Sequence, residues 1–194
     1  MARAWKARGC KPSRVRISPP PLWKEFIELS MEIIIRPQRI SDAKRYYEIL
    51  TQGDFWYLNI RLRSIADEIK FLKQNAQKRR KNLEHNYAIV AAGKVIGSCG
   101  IHVDQYRKYI GEIGYFVAEE FWGKGIATQA VRHMEEIGFG RLKLKRIQII
   151  MDPRNKASER VARKAGYKKE GRMRKFAAGR DGILRERYLY AKVK

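Results

Sequence analysis

The sequence predicts a mixed α/β (α+β) domain, and three observations carry that prediction. Segments of strand-like and helix-like periodicity follow one another in the order β-α-α-β-β-β-α-β-α-β-β between Met31 and Lys194. One passage, Gly111 to Phe139, reads as a strand, a glycine turn and an amphipathic helix. Two turns, Ala92-Gly93 and Gly179-Arg180-Asp181-Gly182, join β-rich segments as hairpins.

Glu32–Arg36 is a β-branched strand closed by Pro37. Ser41 is expected to cap a helix running to Leu50. Ser64-x-x-Asp67 forms a capping box for a second helix, with Ile65, Ile69 and Leu72 on one face. The run Lys78-Arg79-Arg80-Lys81 reads as a solvated helix end or loop. Tyr87–Ala91 and Lys94–His102 are the strands of the first hairpin. Gly111–Val117, rich in aromatic and β-branched residues, is the next strand. Ile126, Ala130, Val131, Met134 and Ile137 then recur at three and four, as on one face of a helix. Arg146–Asp152 is a strong strand, Pro153-Arg154-Asn155 a turn, and Ala157–Lys164 a helix ended by Gly166. Tyr167–Ala177 and Ile183–Tyr190 form the closing pair.

At 194 residues the chain fits one domain plus an extension. The first 30 residues carry seven Lys or Arg before the first acid, Glu25, and are interrupted by Pro19-Pro20-Pro21. They read as a partly disordered basic arm ahead of a domain at 31–194, with Met31 as an alternative start. The longest apolar run, Tyr87–Ala92, is far short of a membrane span, so no membrane association is expected. With only two cysteines, and Cys10 in the basic arm away from Cys99, no structural disulfide is expected, which points to a reducing cytoplasm. His85, His102 and His133 have no metal-binding spacing and read as satisfied or exposed imidazoles; no metal is expected. Cys99 and His102 lie three apart in a strand and so face opposite ways, which argues against a thiol–imidazole pair. The net charge of +23 either serves recognition of polyanions or is the solvated surface of a heat-adapted protein.

The functional signal is the loop. A strand, the turn Gly123-Lys124-Gly125 and a helix N-terminus in that order can hold an anion, which makes the loop a candidate phosphate cradle. Loop N–H groups point at it, the helix dipole favours it, and glycine lets the backbone approach. It is not a Walker A loop, because nothing here fits G-x-x-x-x-G-K-[ST], nor a dinucleotide fingerprint G-x-G-x-x-G, because Thr128 stands where the last glycine is required. Trp122-Gly123-Lys124-Gly125-Ile126-Ala127 resembles the acetyl-CoA pyrophosphate loop of the GCN5-related N-acetyltransferases (GNAT), with Trp122 in place of the usual Arg or Gln. Arg36-Pro37 with Ser41-Asp42-Ala43, Asn155-x-x-Ser158 with Ala165-Gly166-Tyr167, and Gly182 with Glu186, Tyr188, Leu189 and Tyr190 resemble the same family in the same order. They favour its branch of ribosomal-protein alanine acetyltransferases.

The resemblance implies a mostly antiparallel sheet that splays between its middle strands, with helices on both faces. It implies that acetyl-CoA is held by Tyr115, Phe116 and Val117, by Trp122 to Thr128, and by Asn155 and Ser158. Of Tyr115 and Phe116, one is expected to serve only as core. Glu112 is the implied general base, with an ion-paired surface glutamate as the other reading, and Ser158 the implied donor toward the sulfur. The family's general-acid tyrosine, seven residues after the asparagine, is replaced by Ala162. A carboxylate that some branch members carry is absent from Lys175-Phe176-Ala177. The implied activity is acetyl transfer from acetyl-CoA to a primary amine, first of all a protein N-terminus, by a monomer or homodimer. Two other readings stand beside it: an enzyme for a polyamine or aminoglycoside, and a non-enzymatic RNA- or ribosome-binding protein on the same scaffold. Acceptor specificity is expected in the loops Thr51–Arg63 and Val103–Tyr109.

Overall fold

The computed structural model describes residues 32–58, 64–179 and 181–194; the basic arm at 1–30 lies outside them. Among these residues, seven strands form one sheet: β1 (Ile34–Pro37), β2 (Glu84–Ala91), β3 (Lys94–Val103), β4 (Ile110–Val117), β5 (Arg146–Met151), β6 (Lys168–Ala178) and β7 (Leu184–Val193). Their order is β1-β2-β3-β4-β5-β7-β6. Every pairing is antiparallel except β4 with β5. Among the described residues, four α-helices cover it: α1 (Ala43–Gln52), α2 (Ile65–Arg80), α3 (Ile126–Glu135) and α4 (Lys156–Lys164).

Strand alternation assigns the two faces. Cys99 and Ile101 of β3 and Ile113 and Val117 of β4 join one core with Ile126, Ala130, Val131 and Met134 of α3 and Ala162 of α4. On the other face, Ala88 and Val90 of β2 pack with Ala43 and Tyr46 of α1 and Leu72 of α2, and Phe116 leans on that cluster. Cys99 is buried in the first core, and His102 is exposed on the other face, as the alternation requires.

Turn chemistry follows the sequence closely. Ala92 (φ 47°) and Gly93 (φ 75°) both take the left-handed conformation that a two-residue hairpin needs. The Ser64 hydroxyl accepts from the Asp67 N–H, capping α2. The buried face of α2, however, is Glu68, Leu72 and Asn75, while Ile65 is exposed. After Lys164, the Tyr167 N–H reaches the Ala162 carbonyl at 2.9 Å, and Gly166 (φ 86°) makes the turn. The helix after the glycine loop is α-helical only to Glu135 and continues as a π-turn to Arg141. There Gly138 lies against Ile147, where a Cβ would come within 2.6 Å of its side chain.

The first helix is tied down differently from the expectation. A short 3-10 turn, Ile40–Asp42, precedes α1, and Asp42 rather than Ser41 anchors it. The Asp42 carboxylate accepts from the Arg39 N–H at 2.8 Å and from both Arg36 terminal nitrogens at 2.8 and 2.7 Å. Burial pushes the Asp42 pKa up, but Arg36 and the Arg39 N–H outweigh it and hold the carboxyl below its usual range. Asp42→Asn removes one charged acceptor and should lower stability by about 2 kcal/mol, read by urea unfolding at neutral pH. Because the folded-state pKa is depressed, the parent's advantage should be present above the unfolded value of about 4. It should vanish as pH falls through the lower folded value.

Candidate active site

β4 and β5 are paired only at Ile110–Arg146, Gly111–Ile147 and Glu112–Gln148. Beyond that point the strands diverge, and a cavity of about 620 Å³ opens between them. Its walls come from Ile113–Val117 of β4, the glycine loop, Ile149–Met151 of β5, and the face of α4 from Lys156 to Lys164. Asp54, Trp56, Tyr57 and Leu58, between α1 and α2, complete the lining, and there the Arg154 guanidinium lies 4.5 Å from the Trp56 ring centroid. Asp152 fixes Arg154 through three contacts of 2.9–3.0 Å and also meets Arg187 at 3.3 Å.

The loop is built as an open cradle. Gly123 (φ 77°) and Gly125 (φ 75°) are left-handed, and a Cβ at either would meet no atom within 4 Å. Gly125 is the N-cap of α3 and brings no side-chain cap, so the helix's first N–H groups face the cavity without one. Trp122, Gly123, Gly125, Ile126, Ala127 and Thr128 all line it. Lys124 does not: its ammonium donates to the Glu120 carbonyl at 2.9 Å and lies over the Phe121 ring. Trp122 braces the turn, donating from Nε1 to the Val117 carbonyl at 2.6 Å and meeting Phe55 edge-on.

Of the aromatic pair on β4, Phe116 packs edge-to-face on Tyr46 and Phe55 and is the core residue. Tyr115 instead spans the gap between β4 and α4: its hydroxyl and the Ser158 Oγ lie 2.8 Å apart. Burial pushes the Tyr115 pKa up to about 12, so the phenol keeps its proton. Asn155 caps α4, its Oδ1 accepting from the Ser158 N–H at 3.0 Å. Three cations that line the cavity, Lys156, Arg160 and Lys164, stand four apart along α4. That spacing, i, i+4 and i+8, places them on one helical face and is readable in the sequence.

Glu112 lies on the opposite face of the sheet from Tyr115, as alternation demands. It borders a second cavity of about 360 Å³, on the side of α1 and α2, with Glu84, Asn86, Ser98, Gly100 and His102. Gly114, Tyr115, Phe116 and Leu58 line both cavities, so the two meet across β4 where the sheet opens. Glu112 is half-buried; burial pushes its carboxyl above the usual carboxylate range, against the opposing pull of His102 and a hydrogen bond from Gln148. Glu84 carries its own cation, Lys78, at 2.9 Å, and also accepts from Asn86 at 3.1 Å. Lys78 is thus engaged at the end of α2 rather than simply solvated. Most of this second cavity was invisible in the sequence, which pointed to loops. Strand register, rather than loop composition, brings β2, β3 and β4 side chains together.

The arrangement fits a CoA thioester. A phosphate-sized cradle of positive-φ glycines, a helix N-terminus and a row of cations adjoin a narrow gap between strands. Residues 32–168 match the family model described as the acetyltransferase (GNAT) domain. The uncharacterized N-acetyltransferase p20 of Bacillus licheniformis is 33% identical over 101 residues, 52% of this chain and 56% of that protein, so the match spans little more than half of it. The protein named Probable N-acetyltransferase YjcK, from Bacillus subtilis (strain 168), is 31% identical over 152 residues, 74% of this chain and 84% of its own length. Among solved structures, the RimL ribosomal L7/L12 alpha-N-protein acetyltransferase, in complex with coenzyme A, aligns with a TM-score of 0.77. That alignment is 21% identical and covers 86% of this chain and 97% of RimL, a likeness of fold. With the splayed sheet, the glycine cradle and the family model all falling on the same residues, the chain belongs to the GNAT family of acetyl-CoA-dependent N-acetyltransferases.

Proposed function

We propose that the protein acetylates a protein N-terminus, of the kind presented by ribosomal proteins. The observation that carries this is the meeting of the two cavities at Gly114–Phe116, with the cradle on one face and Glu112 on the other. Acetyl-CoA, when bound, supplies the acetyl group as an activated thioester. Gly123, Gly125 and the N-terminus of α3 would hold its pyrophosphate, with Lys156, Arg160 and Lys164 supplying positive charge. Backbone groups of Tyr115–Val117, facing the gap, would orient its arm. Ser158, hydrogen-bonded to Tyr115, holds a proton at Oγ on the cavity wall, and with Ala162 buried it takes the place of the family's missing tyrosine. On the other face, Glu112 accepts the proton of the incoming ammonium.

The charge of the second cavity favours an N-terminus over a polyamine or aminoglycoside. Glu84 is already compensated by Lys78, which leaves Glu112 as the carboxylate open to one ammonium. A polycation would meet a single such partner inside a chain of net charge +23. RimL, by its name, acts on an N-terminus of ribosomal L7/L12, which is consistent with this choice. An RNA-binding scaffold without catalysis would need neither the open cradle nor Glu112. The reading takes residues 31–194 as the catalytic domain, working in the cytoplasm, with 1–30 as a basic extension.

The test is thioester consumption against a panel of N-terminal peptides, polyamines and aminoglycosides. Peptides should be turned over at least about tenfold faster, in kcat/KM, than any small amine. Preference for a small amine would overturn the acceptor assignment, and absence of turnover with every amine would overturn the enzymatic one.

A further inference from the structure

Glu112 belongs to a row of side chains that no single stretch of sequence contains. In the register of the sheet, Glu84 of β2 is opposite His102 of β3, His102 is opposite Glu112 of β4, and Glu112 is opposite Gln148 of β5. All four therefore project from the same face, at neighbouring positions. Glu84, His102 and Glu112 also border the second cavity together. Glu112 is half-buried, and Gln148, on one side, cannot carry a proton away. His102, on the other side, can, and its side chain is 59% exposed.

The surroundings of His102 suit a transfer rather than a fixed ion pair. Its Nδ1 is 3.8 Å from a Glu84 carboxylate oxygen, an ion-pair distance once the imidazole is protonated, so Glu84 lies on the β2 side of the ring. Glu84 is itself held by Lys78 of α2 and by Asn86. Burial raises its pKa, but Lys78, Asn86 and His102 outweigh that and keep it ionised, so Glu84 stays a carboxylate beside the ring. Among the described residues, the charged groups around His102 are thus Glu84 from β2, Glu112 from β4 and, behind Glu84, Lys78 from α2.

We propose that His102 relays the proton collected by Glu112 to solvent, with Glu84 orienting the imidazole. This rests on the reading of Glu112 as the base. An N–H bond of the acceptor ammonium breaks and an O–H bond forms on Glu112. That proton passes to His102, and the imidazolium releases one to water. Glu112 returns to a carboxylate, and one proton per turnover reaches bulk solvent without any redox change. His102 acts through Glu112, so it is a positioning and relay residue rather than a catalytic one.

The experiment uses acetyl-CoA and the fastest acceptor of the panel, with the full chain and its His102→Ala and His102→Gln variants. Both should lose about tenfold to 100-fold in kcat, with KM for acetyl-CoA unchanged. Added imidazole should restore kcat in His102→Ala in a saturable way and leave the parent unaffected. Small buffer bases should rescue in order of their basicity. Loss of activity without rescue, or with a pH profile parallel to the parent's, would assign His102 a structural role and overturn the relay. Parental kcat in both variants would do the same. Glu112→Gln in the same assay separates the two claims. If it is inactive and deaf to imidazole while the His102 variants match the parent, only the relay fails. If Glu112→Gln is fully active, the base assignment fails first.

Discussion

Gly125→Asp is expected to raise the Kd for acetyl-CoA by more than about 100-fold, roughly 2.7 kcal/mol of binding energy, while the domain still folds. The glycine sits at φ 75° as the N-cap of α3, and a Cβ built on it meets nothing within 4 Å. The protein itself therefore does not object to the new side chain. The cradle does, because Gly125 lines the cavity, and the aspartate would fill the space left for a phosphate and bring a like charge. Left-handed backbone costs a residue with a Cβ about 1–2 kcal/mol, and Asp tolerates it better than most. For a domain of this size that is a drop in Tm of roughly 2–8 °C. Gly93→Asp is the matched control. Gly93 has the same φ of 75° and equally open space, but it lies in the β2–β3 turn, outside the cavity. It should show the same loss of Tm and parental affinity by calorimetry. Equal loss of affinity in both variants would mean that strain, not occupancy of the cradle, accounts for the effect. Parental affinity in Gly125→Asp would remove the loop from cofactor binding.

Local chemistry made much of this fold legible. The Ala92-Gly93 hairpin, the Ser64 cap and the Gly166 helix stop each depend on a few adjacent residues, and each appears where the sequence places it. So does the passage from β4 through Gly123 and Gly125 into α3. The failures have a different origin. Ser41 and Asp42 are equally good caps by residue type, but Arg36, six residues before Asp42 in sequence, lies within 2.7 Å of that carboxylate once β1 and the 3-10 turn are packed. The polar inner face of α2 is set by what it covers: Asn75 donates to Gln38 at 2.6 Å, and Gln38 to Ser98 at 2.8 Å. Lys124 sits between the two glycines of the cradle but bends back over Phe121. The sequence reads His102 only as a satisfied or exposed imidazole, because its neighbours Glu84 and Glu112 are 18 residues before it and 10 after it, and only strand register brings them together.

The same register makes Glu112→Gln the most informative catalytic substitution. An amide in place of the carboxylate keeps size and the contact with Gln148 but cannot take a proton, so kcat should fall by about 100-fold or more where proton removal limits the rate. Affinity for acetyl-CoA should stay within about twofold of the parent, because the cradle and the α4 cations lie on the other face of the sheet. The pH dependence carries the sharper test. A base must be unprotonated to act, so parental kcat/KM should fall as pH drops through the pKa of Glu112. Burial pushes that pKa above the ordinary carboxylate range, with His102 and Gln148 pulling against it. The acidic limb should accordingly lie above the pH at which an exposed glutamate titrates, and it should be missing from Glu112→Gln. An acidic limb that persists unchanged in the variant would assign the titration to another group. Near-parental kcat across the whole range would leave the ammonium to lose its proton directly to water.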